Sequence, residues 1–179
     1  MNKGLILAAL IAAGTAQATD WGRTRVGDYE STPVETQIDF LKRVGRDMHQ
    51  FTRSTGFEVC GAIANKDGIY SVHLTTDGVP HGCVIDASLV KDGHTFTGET
   101  IHSHSHQAVL QMDGRARKWS AKYGNGQAGG TLRNDGRGGF SRADYAGGPG
   151  WLVAGGQLLH QNGPRNVTRH GELELEIAR

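Results

Sequence analysis

The stretch TFTGETIHSH, residues 95–104, decides the fold, because it alternates like a strand and ends in two histidines one residue apart. Side chains along a strand point to opposite faces in turn. His102 and His104 are therefore expected on one face of the strand, and Glu99 on the other. The pattern predicts a strand that presents two imidazoles toward one point.

A long helix is predicted earlier in the chain. Residues 32–35, Thr-Pro-Val-Glu, have the pattern of a capping box with proline at the first helical position. Apolar residues then recur at helical spacing, at Ile38, Leu41, Val44 and Met48. We therefore predict a helix over about residues 33–51, with Gly56 marking its end.

Strand-like segments lie on both sides of the histidine pair. Residues 57–64 and 69–75 predict a hairpin around the turn sequence Asn-Lys-Asp-Gly at 65–68. The remaining predictions are strands at 82–86 and 167–177, a hairpin or bulged strand at 151–160, and a short helix over about 107–122. Together these segments indicate a domain that mixes helices with a sheet.

Acidic and hydroxyl side chains elsewhere could complete a site around the histidines. His102, His104 and Asp144 would supply three ligands that suit zinc and would leave a fourth position open, as catalytic zinc sites require. Glu58 could take a proton from the attacking water and pass it to a leaving nitrogen. Ser141 could donate its hydroxyl to the developing oxyanion. These residue types suggest a metal-assisted hydrolase of amide bonds.

Each of these residues also has an ordinary interpretation. The histidines could be polar residues on an exposed face of the sheet, and Glu58 could be an ion-pair partner. Ser141 and Asp144 could cap a short helix, since serine is a common N-cap. His106 continues the alternation, and a strand that reached it would give a rival site of three histidines.

Three motifs follow one another in the chain: Glu58-Val-Cys-Gly-Ala-Ile63, Ile101-His-Ser-His104 and Phe140-Ser-Arg-Ala-Asp144. In this order they resemble the JAMM/MPN metalloprotease family, in a branch of bacterial exported and toxin-associated domains. The resemblance covers about residues 33–165. It implies an α/β (α+β) domain with a curved mixed β-sheet, a long N-terminal helix on one face, and the site at strand ends.

The resemblance also implies a function. Zn2+ would be bound by His102, His104 and Asp144, with Glu58 and Ser141 as catalytic residues. The chain would be an exported hydrolase of amide or isopeptide bonds, acting on a peptide or a peptidoglycan stem peptide. The alternative is a non-catalytic JAMM-like protein that binds a protein partner as an inhibitor, immunity factor or assembly subunit. A toxin-like effector is a third interpretation.

A glycine-rich insertion, residues 105–140, sets the chain apart from the family pattern and favours the non-catalytic alternative. It separates His104 from Asp144 by 40 positions, a far longer gap than the family has, and Ser105 stands where the family usually has proline. The insertion carries six basic residues against two acidic ones. We interpret it either as a solvated mobile loop or as a lid or clamp for an acidic or carboxylate-bearing substrate.

The first 18 residues have the pattern of a secretory signal peptide: a basic start, an apolar run at 4–13 and a small-residue cleavage site at 16–18. An uncleaved membrane anchor is the alternative. We predict a single domain over residues 19–179 of a periplasmic or secreted protein, with no membrane span in the mature chain. Lys3 is the only charge removed, so 18 basic and 18 acidic residues remain, which argues against nucleic acid as a partner.

Cys60 and Cys83 are the only cysteines of the chain. In an exported protein such a pair predicts a disulfide, with two buried thiols as the alternative. A zinc site built from these cysteines is poorly supported, since neither lies in a Cys-x-x-Cys pair.

Overall fold

The computed structural model describes residues 22–124 and 130–173, so the predicted signal peptide and the end of the strand predicted at 167–177 lie outside the described residues. Among the described residues no helix has the length and apolar composition needed to cross a membrane. The elements in chain order are β1 (Thr24–Glu30), α1 (Gln37–Thr55), β2 (Cys60–Lys66), β3 (Ile69–Thr76), β4 (Thr95–Ser103), β5 (Val109–Gln111), α2 (Gly114–Tyr123), β6 (Thr131–Arg133), α3 (Arg142–Ala146), β7 (Gly150–Ala154), β8 (Gln157–Gln161) and β9 (Val167–Glu172).

Seven of these strands form one sheet in the order β1-β3-β2-β4-β7-β8-β9. All neighbours run antiparallel except β4 and β7, which are parallel. The predicted α/β fold with a mixed sheet and a long N-terminal helix is confirmed at this level. β4, which leads into the histidine pair, lies at the centre with three strands on each side.

The long helix begins later than predicted, and its start is decided by a second capping residue. Thr36 is the N-cap, and its hydroxyl accepts a hydrogen bond from the backbone N–H three residues on, at 3.2 Å. The predicted box at 32–35 forms a turn ahead of the helix, in which the Thr32 N–H donates to the Glu35 carboxylate at 3.0 Å. Gly56 ends the helix as predicted, with a φ of 77° that glycine adopts readily.

One face of α1 packs on the sheet and forms the main core. The buried side chains of the helix and of the strands beneath it include Phe40, Leu41, Val44, Met48, Ile63, Ile101 and Val153. Burial of such large apolar side chains is the main favourable contribution to folding. Ile38, predicted to belong to this apolar face, is 38 % exposed and is not part of the core.

The opposite face of the sheet carries the histidines. Ser103 points toward α1, where its hydroxyl bonds with that of Thr52 at 2.7 Å. The neighbouring His102 therefore points away from the helix, and Cys60, which pairs with it on β2, shares its face. The predicted alternation is confirmed for residues 99–104, whereas an irregularity in the pairing with β2 around Gly98, whose φ is 88°, interrupts it earlier in the strand.

The hairpin of β2 and β3 is also confirmed, whereas the strand predicted at 82–86 is wrong. The hairpin turns at Asp67 and Gly68, whose φ values of 52° and 87° suit a tight two-residue turn. Residues 82–86 form no strand. The Val84 N–H donates to the buried Asp77 carboxylate at 2.8 Å instead of joining a strand ladder.

A second layer, made of residues 77–94 and the described part of 105–148, covers the histidine face. Within the insertion, β5 and β6 pair in a small sheet, and this shortens the helix predicted at 107–122 to α2. The Trp119 indole of α2 donates to the Asp77 carboxylate at 2.8 Å. Next to it, His81 bonds with Ser120 at 2.7 Å. The described part of the insertion is thereby packed on the protein instead of forming a solvated loop.

The predicted disulfide between Cys60 and Cys83 is present, with its Cα atoms 5.9 Å apart. It joins β2 in the sheet to residues 77–94 of the second layer. The covalent link therefore holds together the two layers that face each other across the histidines.

Replacing both cysteines by alanine is expected to lower the free energy of unfolding by about 3 kcal/mol, because the disulfide closes a long loop and restricts the unfolded chain. Denaturant titration of the wild type and of Cys60→Ala/Cys83→Ala, with and without reductant, measures this difference. Reductant should shift the wild type toward the double variant and leave the variant unchanged. An unfolding midpoint of the wild type that does not respond to full reduction would contradict the prediction.

Candidate metal centre

β4 brings both histidines to one point beneath the second layer. His102 lies opposite Cys60 of β2 on one side and Leu152 of β7 on the other. His104 lies one residue beyond β4, and its N–H still donates to the Val153 carbonyl at 3.0 Å. The backbone of the pair is thus fixed by the centre of the sheet.

The two histidines and Asp144 converge with their ligand atoms facing one another. The Nε2 atoms of His102 and His104 are 3.1 Å apart. One oxygen of Asp144 lies 3.2 Å from Nε2 of His102, and the other lies 3.4 Å from Nε2 of His104. Among the described residues these three side chains form a group that could hold a metal ion. The insertion therefore returns the chain to the histidines, although 40 positions separate His104 from Asp144.

These separations suit a tetrahedral zinc ion. Bonds of about 2.0 to 2.1 Å at tetrahedral angles place neighbouring ligand atoms about 3.3 Å apart. Two imidazole nitrogens and a carboxylate oxygen are donors that zinc accepts, and three protein ligands leave a fourth position open. The donor chemistry of this group therefore fits zinc, and the 3.1 Å between the two imidazole nitrogens is close to the tetrahedral spacing.

The ring of His104 is oriented by backbone carbonyls of the insertion. Its Nδ1 lies 2.6 Å from the Gly136 carbonyl oxygen and 3.1 Å from that of Gly139. A carbonyl oxygen can only accept, so Nδ1 carries the proton and donates it to both. When His104 is neutral, its Nε2 is left as a lone-pair donor directed at His102 and Asp144, as a metal ligand requires.

A capping box positions the carboxylate of Asp144. The Ser141 hydroxyl accepts from the Asp144 N–H at 3.3 Å, and the Ser141 N–H donates to the Asp144 carboxylate at 2.5 Å. The interpretation of this pair as a helix cap is confirmed. The cap is compatible with metal binding, because it holds the carboxylate in the orientation that faces both histidines.

Glu58 lies just before β2 and is held by its backbone. Its N–H donates to the Val79 carbonyl at 3.0 Å, and its own carbonyl accepts from the Thr76 hydroxyl at 2.6 Å. The side chain is 6 % exposed and lines the same cavity as the three converging residues. The carboxyl group is therefore placed beside the candidate metal site by strand pairing and loop contacts, not by an ion pair of its own.

The environment of Glu58 suits proton transfer near neutral pH. Burial raises the pKa of the carboxyl to about 8, with the charge of His104 opposing the shift and that of Asp144 reinforcing it. A carboxyl group with a pKa near the working pH can accept a proton and then donate it.

The charges around the ligand atoms favour a cation at their meeting point. Burial opposes ionisation of Asp144, yet hydrogen bonds from both histidines hold its pKa well below the usual range. Burial also opposes protonation of His104, but the hydrogen bond with Asp144 and the charges of Glu58 and Asp144 raise its pKa to about 9. For His102 the burial prevails and lowers the pKa. The ionised carboxylate of Asp144 therefore stabilises positive charge between the imidazoles, which is what a metal site needs.

A cavity of about 640 Å³ lies over the ligand group, between the sheet and the second layer. Its larger apolar lining residues are Ile85, Leu110, Trp119, Leu132 and Phe140. Arg133 is the only arginine or lysine among the described lining residues, and it pairs with Asp135 at 2.9 Å. The lining therefore does not supply the cationic clamp that the basic composition of the insertion suggested.

Two other candidates weighed from the sequence lie apart from the group. His106 is exposed beyond the end of β4 and does not line the cavity, so the rival site of three histidines is not formed. Glu99 accepts hydrogen bonds from the Trp151 indole at 2.9 Å and from His160 at 2.8 Å, on the α1 side of the sheet. Its predicted position on the face opposite to the histidines is confirmed.

Sequence reasoning missed the contacts that hold the imidazoles in place. The Gly136 and Gly139 carbonyls hold His104, and the Phe140 ring lies 6.4 Å, centroid to centroid, from that of His102. Backbone carbonyls carry no residue-type signal. Only the position of Phe140, directly before Ser141, could have suggested its role.

Comparison with protein-family models, with curated proteins and with solved structures gives no match to the chain. The resemblance to the JAMM/MPN family therefore rests on the motif residues and remains a proposal.

The wild-type protein is expected to bind one zinc ion, and His102→Ala, His104→Ala and Asp144→Ala are each expected to weaken binding by at least about a hundredfold. Chelator competition and elemental analysis of the purified proteins measure this. His106→Ala is the matched control, because this exposed histidine lies outside the group, and it should bind zinc as the wild type does. Loss of zinc in His106→Ala, with retention in His102→Ala, would contradict the assignment.

Proposed function

We propose that this chain is an exported zinc-dependent hydrolase of amide or isopeptide bonds. The observation that supports it best is the convergence of His102, His104 and Asp144, at ligand separations that suit zinc, in one cavity with the buried carboxyl of Glu58. A metal-ligand group with an open position and a proton-transfer group beside it is the arrangement of a metal-dependent hydrolase. A purely structural zinc site would have four protein ligands.

The chemistry divides between the metal and the side chains. Zinc, when bound, supplies a Lewis acid for the scissile carbonyl and lowers the pKa of water toward neutrality. Glu58 accepts a proton from the attacking water as a new bond forms from the water oxygen to the carbonyl carbon. It then donates that proton to the nitrogen as the carbon–nitrogen bond breaks, so that a carboxylic acid and an amine leave. General acid–base catalysis of this kind contributes on the order of a hundredfold or more.

Ser141 is suited to stabilise the oxyanion. Its hydroxyl oxygen accepts from the Asp144 N–H, which leaves the hydroxyl proton available, and the side chain lines the cavity. A hydroxyl that donates to the developing negative charge lowers the barrier without taking part in proton transfer.

The cavity indicates the class of substrate. Outside the ligand group and Glu58, the described lining combines five larger apolar side chains with glycines and polar side chains, and its one arginine is paired with Asp135. Such a lining favours apolar side chains beside the scissile bond and disfavours carboxylates that lack a cationic partner. A peptide with uncharged residues at the bond fits better than an acidic stem peptide of peptidoglycan.

The proposal also includes export of the protein and a JAMM/MPN-like domain. The disulfide is a feature of oxidising compartments, and it agrees with the signal-peptide pattern of residues 1–18. The order of the three motifs, together with a mixed sheet that carries the histidine pair at its central strand, supports a JAMM/MPN-like domain.

Glu58→Gln is expected to keep zinc and to lower kcat by at least about a hundredfold, because the amide preserves the shape of the side chain and removes the proton acceptor. Zinc content and cleavage of a panel of peptides and isopeptides are measured on the same preparations. Glu99→Gln is the matched control: it changes a carboxylate on the other side of the sheet and should retain activity. A zinc-loaded wild type that cleaves nothing in a broad panel would favour the non-catalytic binding protein.

Peptides with leucine or phenylalanine next to the scissile bond are expected to have a kcat/KM at least about tenfold above that of matched glutamate peptides, because the larger lining side chains are apolar and the one lining arginine is already paired with Asp135. Arg133→Ala should change the kcat/KM of neither the apolar nor the glutamate peptides by more than about twofold, since the arginine is mostly exposed and paired with Asp135. A loss of activity confined to the glutamate peptides in Arg133→Ala would show that this arginine is a carboxylate clamp after all.

A further inference from the structure

The segment that returns the chain from the insertion to the sheet contacts every residue of the ligand group. The carbonyls of Gly136 and Gly139 accept from His104, the Phe140 ring lies beside that of His102, and the backbone of Ser141 binds the Asp144 carboxylate. Phe140 in turn packs on the apolar side chains of β7 and β8. The insertion therefore contributes directly to the candidate metal site.

We propose that Gly136 is a positioning residue for metal binding: its carbonyl fixes the tautomer and tilt of His104, and its lack of a side chain gives the imidazole room to take that position. The hydrogen bond from Nδ1 to the Gly136 carbonyl is the shorter of the two that His104 makes, 2.6 Å against 3.1 Å. Orientation of a ligating histidine through its second nitrogen typically changes metal affinity by about tenfold to a hundredfold.

Glycine is needed at 136 because a side chain there would crowd the His104 ring, and not because of the backbone conformation. A Cβ atom at this position would lie 3.0 Å from Cε1 and 3.1 Å from Nδ1 of His104. The φ of Gly136 is not in the left-handed region, so alanine at 136 does not incur the strain of that region. An alanine there would displace the buried ring by a few tenths of an ångström, away from Asp144 or from the carbonyl.

The same segment is anchored to the residues that follow the histidine pair. The Asn134 side-chain amide donates to the Ser105 carbonyl at 2.7 Å and to the Gln107 carbonyl at 3.0 Å. The Asn134 N–H donates to the Ala108 carbonyl at 3.0 Å. These bonds hold the two ends of the insertion together. We infer that they also fix the position of the Gly136 carbonyl relative to the His104 ring.

The test compares Gly136→Ala with Gly138→Ala. Gly138 lies in the same segment, has no heavy atom within 4 Å of an added Cβ and does not have a left-handed φ, so it is a matched control. Zinc affinity is measured by chelator competition, and the visible absorption of the Co2+-substituted proteins reports the coordination geometry. Thermal melting in excess chelator reports stability without metal.

We expect Gly136→Ala to bind zinc about tenfold to a hundredfold more weakly than the wild type and to show an altered Co2+ spectrum. Its melting temperature without metal should match that of Gly138→Ala, which should bind zinc as the wild type does. Equal zinc affinity of the two variants, or an equal loss in both, would overturn the role of Gly136.

Asn134→Ala provides a second measurement. This variant changes no metal ligand, and it should also bind zinc more weakly than the wild type. An unchanged zinc affinity of Asn134→Ala would overturn the anchoring role of this residue.

This inference rests on the proposed metal centre, and the two can fail separately. A wild type that binds no zinc would refute the proposed function. A wild type that binds one zinc ion, with no difference between Gly136→Ala and Gly138→Ala, would leave the proposed function intact and remove the positioning role.

Discussion

The arrangement of this protein depends on where the proton of one imidazole is held. Two backbone carbonyls accept from Nδ1 of His104, so its Nε2 is turned toward Nε2 of His102, 3.1 Å away, with the Asp144 carboxylate against both. Three atoms that carry lone pairs repel one another at such distances unless positive charge lies among them. The carboxylate of Asp144 favours that charge. The central strand, the cap of α3 and the insertion all serve to bring these atoms together.

Local patterns predicted the parts of the fold that are decided by neighbouring residues. The alternation of residues 95–104 assigned the histidines to one face of the strand and Glu99 to the other, because successive side chains of a strand point to opposite faces. The turn at Asp67-Gly68 and the helix end at Gly56 followed from residues that tolerate positive φ. The helix start was misplaced because two capping sequences compete there. Thr36 caps the helix, and the box at 32–35 becomes a turn.

The remaining features depend on contacts between distant residues, which leave little trace in the sequence. The strand expected at 82–86 does not form, because Asp77 binds the Val84 N–H together with the Trp119 indole. The glycine content of the insertion suggested a loop, yet glycine at 136 has a packing role against His104. The motif order correctly indicated that Asp144 returns to the histidines. It carried no information on the carbonyls that orient them, because any residue presents a carbonyl.

The ligand group also lies between two layers that are joined by the Cys60–Cys83 disulfide and by the packing of Phe140 on β7 and β8. His102 and His104 belong to the sheet side, whereas Asp144 and the segment around Gly136 belong to the second layer. An ion bound by all three would therefore link the layers next to the Cys60–Cys83 bond, since Cys60 is the strand partner of His102. Binding that occurs only in the folded state stabilises that state by mass action. The covalent link and the ion would thus act side by side, each attaching a different segment of the second layer to the centre of the sheet.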